Sequence, residues 1–332
     1  MTRPIAVVTG GAGFIGSHLT DALIARGYSV RIIDNLVGGH LDNVKQHLED
    51  GTARLFESDI LELEPSHEAF RESSYVFHLA GIGDIVPSIE RPAEYMEVNV
   101  QGTVRVLEAA RANQVKKVVY AASSSCYGLA ATPTTEDHPI DPRYPYALSK
   151  YLGEQAAAHW SHVYKLPVNS IRIFNAYGPR VRTTGAYGAV FGVFFKQKLA
   201  GQPLTVVGDG TQRRDFVHVT DVAEAFCRAA ETSLSGRVWN CGADDPRTVN
   251  ELVEIIGGEV VYIPKRPGEP DCTWADTTRI RADLQWKPSM DFRDGVRGML
   301  NEINRWSDAP LWTTESIAKA TETWFTTLGG DT

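Results

Sequence analysis

Tyr146 and Lys150 stand four residues apart in the run Tyr146-Ala147-Leu148-Ser149-Lys150. That spacing puts both side chains on one face of a helix, one turn from each other. A free phenol titrates near ~10, too weak a base for neutral pH. An ammonium beside it favours phenolate and lowers that value, so the pair has the makings of a general base. Tyr and Lys at this spacing are also common on solvated helix faces, so context decides. Part of that context is Ser123-Ser124-Ser125, which follows the strand-like run Val118-Val119-Tyr120. A serine at a strand's carboxyl end faces the ligand crevice of an open α/β sheet.

The N-terminal elements supply the rest. Ile5 to Thr9 reads as a buried parallel strand running into Gly10-Gly11-Ala12-Gly13-Phe14-Ile15-Gly16. A helix follows to about Arg26, Gly27 stops it, and Tyr28 to Ile33 reads as a second strand. In such a βαβ unit the glycines let backbone approach a pyrophosphate, and the helix N-terminus supplies amide donors. Asp34, ending the second strand, is placed to accept from an adenosine ribose. A carboxylate there repels a 2′-phosphate, which favours NAD over NADP.

The chain has 332 residues, 43% of them hydrophobic, enough for one large domain or two coupled ones. A formal charge of −8 gives no electrostatic case for nucleic-acid binding. No apolar run approaches the roughly 20 residues of a membrane span. A strand-like run opens the chain where a secretory leader would lie. Cys126, Cys227, Cys241 and Cys272 are scattered, with no C-x-x-C pair. Neither a metal site nor a disulfide framework is expected, and a reducing cytoplasm is the expected location.

The glycine spacing, G-x-x-G-x-x-G over Gly10, Gly13 and Gly16, resembles the short-chain dehydrogenase/reductase superfamily. The resemblance implies NAD along Gly10, Gly13, Phe14, Ile15 and Gly16, with Asp34 at the ribose and Asn35 also at the cofactor. It places Asp59 and Ile60 beside the adenine and runs Leu79, Ala80 and Gly81 along the cofactor. Asn99 matches a recurrent asparagine, whose alternative role is a structural amide tie. Counting back four residues from Tyr127 selects Ser123 as the catalytic hydroxyl, with Tyr146 and Lys150 completing the set. Ser124 and Ser125 then face the sugar. The helices at about 93–113 and 145–164 pair across a two-fold axis in this superfamily, so the resemblance implies a homodimer through a four-helix bundle.

From about Pro4 to about Leu300 the chain resembles the extended branch, the nucleotide-sugar epimerases and dehydratases. Asn175, Arg214 and Arg266 match contacts to a sugar diphosphate. Glu269 stands where the family usually has an Asp holding the ribose. Arg182 matches an arginine near the sugar C6 in uronate-specific enzymes. Thr273 matches a place where a bulky residue excludes a 2-acetamido group. The runs 121–128 and 185–190 look most like the epimerases of UDP-N-acetylhexosamines.

The implied fold is a doubly wound parallel sheet of Rossmann type over residues 1–178, with a smaller α/β substrate domain over 179–332. The chain is expected to return to the first domain around 215–240. The implied reaction is NAD-dependent 4-epimerisation of a UDP-sugar through a transient 4-keto sugar. The sugar is a UDP-N-acetylhexosamine, a UDP-hexose or a UDP-hexuronate. The alternatives are a 4,6-dehydratase or 4-oxidoreductase, and a non-catalytic NAD-binding protein. Helices are expected over 248–257, from Ala275, and from Phe292 to about Trp306. Beyond the resemblance, Ile317, Ala320 and Trp324 suggest an amphipathic helix packed on its own chain, with a partner or dimer contact as the alternative.

Overall fold

Residues 3–183 and 190–329 are described by a computed structural model. Six strands alternate with helices through the first half of the chain. They are β1 (Ile5–Thr9), β2 (Ser29–Asp34), β3 (Ala53–Glu57), β4 (Tyr75–His78), β5 (Lys117–Ser123) and β6 (Val168–Ile173). Together with Val238–Cys241 they form one seven-stranded sheet. Its order is Val238–Cys241, β6, β5, β4, β1, β2, β3, and every pairing is parallel. The strands are apolar almost throughout because helices cover both faces. One face buries Leu19, Leu23, Ile32, Phe226 and Trp239 beneath the helices Phe14–Ala25 and Val219–Glu231. The other buries Val7, Val76, Val106, Tyr120 and Ala157 beneath Gly102–Ala112 and Pro145–Tyr164.

The chain winds outward from β1 to β3, then crosses back to place β4 on the other side of β1. Between β1 and β4 the winding reverses, and a crevice opens at their carboxyl ends. The later part of the chain adds three short strand pairs, among them Leu204–Val207 with Val260–Ile263. An aromatic core fills it: Tyr177 stacks on Phe191 at 5.3 Å and Phe216 on Phe292 at 5.3 Å.

Three elements depart from expectation. The helix expected over 93–113 contains a π-helical turn at Glu97–Gln101 between Pro92–Met96 and Gly102–Ala112. Single π turns cluster at functional sites, and this one carries Asn99. The helix expected from Ala275 starts at Thr278, because Trp274 and Asp276 pair with Thr134 through backbone hydrogen bonds. The helix from Phe292 ends at Asn301, and a 3₁₀ turn covers Ile303–Trp306. The tail forms a helix, Thr314–Leu328, burying Ile317, Thr321 and Trp324. Among the described residues no helix is long and apolar enough to cross a membrane.

A buried hydrogen-bond chain locks the sheet to the helix behind it. Thr103 Oγ1 donates to the Asn99 carbonyl at 2.7 Å, so it accepts from His78 Nε2–H at 2.9 Å. Nδ1 of His78 then accepts from the Thr9 hydroxyl at 2.7 Å. Burial, with help from the Lys150 charge, pushes His78 down to about 3. Its folded value therefore lies below the ordinary 6.5. Between those two values the unfolded chain binds a proton that the folded chain refuses, so this group removes stability as pH falls from 6.5. His78→Gln is expected to flatten the loss of stability between pH 6.5 and 4 by up to about 1.4 kcal/mol per pH unit, read by urea unfolding of both proteins. Identical slopes would show that His78 titrates normally.

Candidate active site

The crevice begins at the glycine loop. Gly10 has φ +71°, and a Cβ there would lie 2.8 Å from the Ala80 nitrogen. The loop after β1 thus touches the loop after β4, and only glycine fits. A Cβ on Gly16 would lie 2.0 Å from the Gly10 oxygen, so the helix Phe14–Ala25 sits directly on the turn. Gly13 caps this helix without a side chain, which leaves the first-turn amides of Phe14, Ile15 and Gly16 facing the crevice.

Asp34 closes β2 at 7% exposure. Its Oδ2 accepts from Ala12 N and its Oδ1 from Leu36 N, both at 2.9 Å. Burial raises its pKa, and these two amides oppose the rise. Asp34 therefore pins the glycine loop, and each oxygen keeps a further lone pair. Asn35 Nδ2 donates to Asp59 Oδ2 at 2.8 Å, which joins the end of β2 to the expected adenine side as one rim. Ile60 is buried against Gly102. Leu79 N donates to Thr9 O at 3.1 Å and Ala80 N to Thr9 Oγ1 at 3.3 Å. Gly81 leaves no room for a side chain beside Asn99. A groove of free amides ending in an acid, with no side chain at its floor, fits NAD.

Ser123 is the last residue of β5 and Tyr146 lies in the first turn of the helix Pro145–Tyr164. Tyr146 OH donates to Ser123 Oγ at 3.4 Å. Ser123 Oγ also shares a 2.6 Å hydrogen bond with Ser125 Oγ. Ser124 is half-buried beside them. Lys150 is buried, with Nζ 4.7 Å from the centre of the Tyr120 ring. Burial lowers Lys150 to about 8, and the Glu154 charge one turn further on opposes the fall. The expected depression of the Tyr146 phenol is not found in the protein alone. Burial raises it, the Ser123 hydrogen bond lowers it, and the charge of Asp84 raises it again. Desolvation of the phenolate is the largest of these influences.

Asn99 is a fully engaged tie. Its Oδ1 accepts from Ile82 N at 2.9 Å, and its Nδ2 donates to Ile82 O at 3.0 Å and Ser149 Oγ at 2.9 Å. It fastens the loop after β4 to the helix that carries Tyr146 and Lys150.

The expected substrate residues meet at the other end. Thr273 Oγ1 donates to Asn175 Oδ1 at 2.7 Å. Arg214 Nη2 donates to Glu269 Oε1 at 2.7 Å, and Arg266 Nη1 lies 3.6 Å from Glu269 Oε2. That Oε2 is buried without a hydrogen-bond donor in range. The segment Lys265–Asp271 separates two clefts, of about 860 Å³ and about 440 Å³. Asp215, buried beside Arg214, accepts from the amides of Ala243, Asp244 and Ala275 and so ties three loops behind the site. Arg182 stands at the rim, 3.4 Å from Asp84 Oδ2. Asp84, with no expected role from sequence, is partly buried; burial raises its pKa and Arg182 opposes this. Of the run 185–190, residues 185–189 lie outside the described residues.

Two further residues reach the site that the sequence did not place there. Tyr144 stacks on Tyr146, with centroids 6.4 Å apart and planes 10° from parallel. Trp324, 178 positions after Tyr146, donates its indole N–H to Pro267 O at 2.8 Å.

Comparison with known proteins agrees with this geometry. Residues 6–242 match the model of the NAD dependent epimerase/dehydratase family. A putative UDP-glucose 4-epimerase of Methanocaldococcus jannaschii is 36% identical over 303 residues, 89% of this chain and 97% of that protein. A UDP-N-acetyl-alpha-D-glucosaminuronate decarboxylase of Bacillus cytotoxicus is 33% identical over 310 residues, 88% of this chain and 95% of that one. Among solved structures, a UDP-N-acetylglucosamine 4-epimerase of Methanobrevibacter ruminantium superposes with a TM-score of 0.85 and 31% identity. The match covers 91% of this chain and 100% of that one. With its glycine cradle at a sheet reversal and Ser123, Tyr146 and Lys150 beside it, this chain belongs to the NAD-dependent epimerase/dehydratase family.

Proposed function

We propose that the protein catalyses 4-epimerisation of a UDP-sugar, and that Tyr146, Ser123 and Lys150 carry the proton chemistry. The supporting observation is the 3.4 Å contact of Tyr146 with Ser123 next to a cradle that fits NAD. Tyr146 as phenolate takes the proton of the sugar 4-hydroxyl. Ser123 donates to the same oxygen and steadies it as it becomes a carbonyl. Lys150, one turn from Tyr146, favours the phenolate and holds the cofactor ribose. NAD, when bound, supplies the nicotinamide that accepts the C4 hydride and returns it to the opposite face of the sugar.

Arg214 and Arg266 match diphosphate geometry, and their guanidinium charges now share Glu269. The unsatisfied Glu269 Oε2 suits a ribose hydroxyl. A UDP-N-acetylhexosamine is the first choice of substrate. Thr273 is small, and its hydroxyl is engaged by Asn175. A UDP-hexose is second. Asp84 beside Arg182 disfavours a uronate, whose carboxylate would meet a second carboxylate there.

A second reading is elimination or decarboxylation after the same oxidation. Asp84 favours it, being an acid close enough to raise the Tyr146 pKa, whereas Ser124 and Ser125 supply none. Reaction in D₂O separates the two. An epimerase returns the same hydride to C4, so the product contains no carbon-bound deuterium. Deuterium at C5 would establish the second reading.

Association into a dimer is part of the proposal. Leu148 and Leu152, four residues apart on the helix Pro145–Tyr164, are both 37% exposed on its outer face. Burying such a stripe against a second copy fits the four-helix bundle. Sedimentation is expected to give a dimer, and Leu148→Glu with Leu152→Glu a monomer. A monomeric unaltered protein would remove this element.

A further inference from the structure

The C-terminal helix Thr314–Leu328 lies beyond the span that resembles the family, yet it reaches the centre of the site. Thr313 and Ser316 form a reciprocal cap at its start. Ile317, Thr321 and Trp324 form one buried stripe, at spacings of four and three. Trp324 makes three contacts with residues already placed in the site. Its indole donates to Pro267 O at 2.8 Å. The Arg266 guanidinium lies 5.6 Å from its ring centre. Its ring is 6.4 Å from that of Tyr144, which in turn stacks on Tyr146. Phe325 lines the 860 Å³ cleft opposite Leu129 and the segment Arg266–Cys272. The helix also packs against Ile85–Glu90, whose N-cap is Asp84.

We infer that this helix is a working part of the substrate site, in which Trp324 is a positioning residue that holds Arg266 and Tyr144 ready for a nucleotide-sugar diphosphate. Arg266 stands on a strap in which Gly268 takes φ +69°, and Pro267 is anchored from outside by the indole N–H. A guanidinium against an aromatic face keeps its charge while losing rotamer freedom, which is preorganisation for an anion. The inference rests on the proposed function, since it takes Arg266 as a diphosphate ligand.

The test is calorimetric binding of UDP to the NAD-loaded protein, with steady-state kinetics alongside. Trp324→Ala is expected to raise Kd for UDP and KM for the sugar nucleotide by about tenfold, with kcat within about twofold and NAD content unchanged. Trp324→Phe keeps a ring face without the N–H donor and is expected to fall between. Truncation before Thr313 is expected to match Trp324→Ala. Wild-type Kd and KM in Trp324→Ala would overturn the inference. So would a parallel fall in kcat, NAD content and thermal midpoint in both point variants, which marks simple loss of folding. An unaltered protein that binds no UDP would overturn the functional reading, and this inference with it.

Discussion

Tyr146→Phe is expected to lower kcat by about 10³-fold, the upper-middle range for removing a general base. KM and NAD content should stay near wild type. The ring of Tyr146 is held between Tyr144, stacked at 6.4 Å, and Tyr95, edge-on at 6.4 Å. Phenylalanine keeps both contacts and loses only the hydroxyl that donates to Ser123. Ser124 and Ser125 are not bases and Lys150 is a cation below about 8, so these neighbours do not take the proton in its place. Activity and UDP binding measured on one preparation separate the cases. Lost turnover with retained UDP binding supports Tyr146 as the base. Turnover within about tenfold of wild type would assign the proton to another group, with Asp84 the next to test.

The largest expected effect on stability lies under the same helix. Arg172 on β6 and Glu154 form a bidentate pair, with Nε to Oε2 at 2.8 Å and Nη2 to Oε1 at 2.6 Å. Their side chains are 6% and 2% exposed. Arg172 Nη1 also donates to Tyr127 OH and to the Glu136 carbonyl, and Tyr127 OH donates to Asn240. Arg172→Met strips Glu154 of its partner in a dry interior and is expected to cost about 3–5 kcal/mol, read by urea unfolding. Replacing both, Arg172→Met with Glu154→Leu, is expected to recover much of that loss, because no lone charge stays buried. Catalysis should not recover with it. Glu154 opposes the fall in the Lys150 pKa, so its loss leaves Lys150 less charged at neutral pH. Full activity in the double variant would separate the ion pair from the chemistry.

Much of the cofactor side was legible in the sequence because its signals are local. A strand, a glycine turn, a helix and an acid follow one another within about thirty residues, and each constrains the next. β1 spans Ile5–Thr9 as read, and the helix Pro145–Tyr164 has the expected ends. Ser123 and Tyr146 are 23 positions apart, yet strand end and helix start leave them one place to meet. The π turn at Glu97–Gln101 was not legible, since it adds one residue to a turn without altering the apolar pattern.

The substrate side was harder because its contacts are long-range. Arg182 was read as a ligand for a carboxylate, and the chain supplies one itself in Asp84, 98 positions earlier. Asp84 carries no local mark of its place beside Tyr146. Glu269 looked like a lengthened ribose contact; its extra methylene lets it engage Arg214. Tyr144 reads as an ordinary residue before a proline, and only the fold sets it between Tyr146 and Trp324. The pKa direction at Tyr146 also needed the fold, since spacing reports the neighbouring ammonium but not the burial.

The measurement that bears most directly on the account is a proton NMR time course without added cofactor. Purified protein is given UDP-glucose, UDP-N-acetylglucosamine and UDP-glucuronate in parallel. The account predicts conversion of UDP-N-acetylglucosamine to its C4 epimer, slower or no conversion of the others, no persistent keto sugar and no dependence on added NAD. A keto sugar or a pentose product, or inertness towards all three, would contradict it.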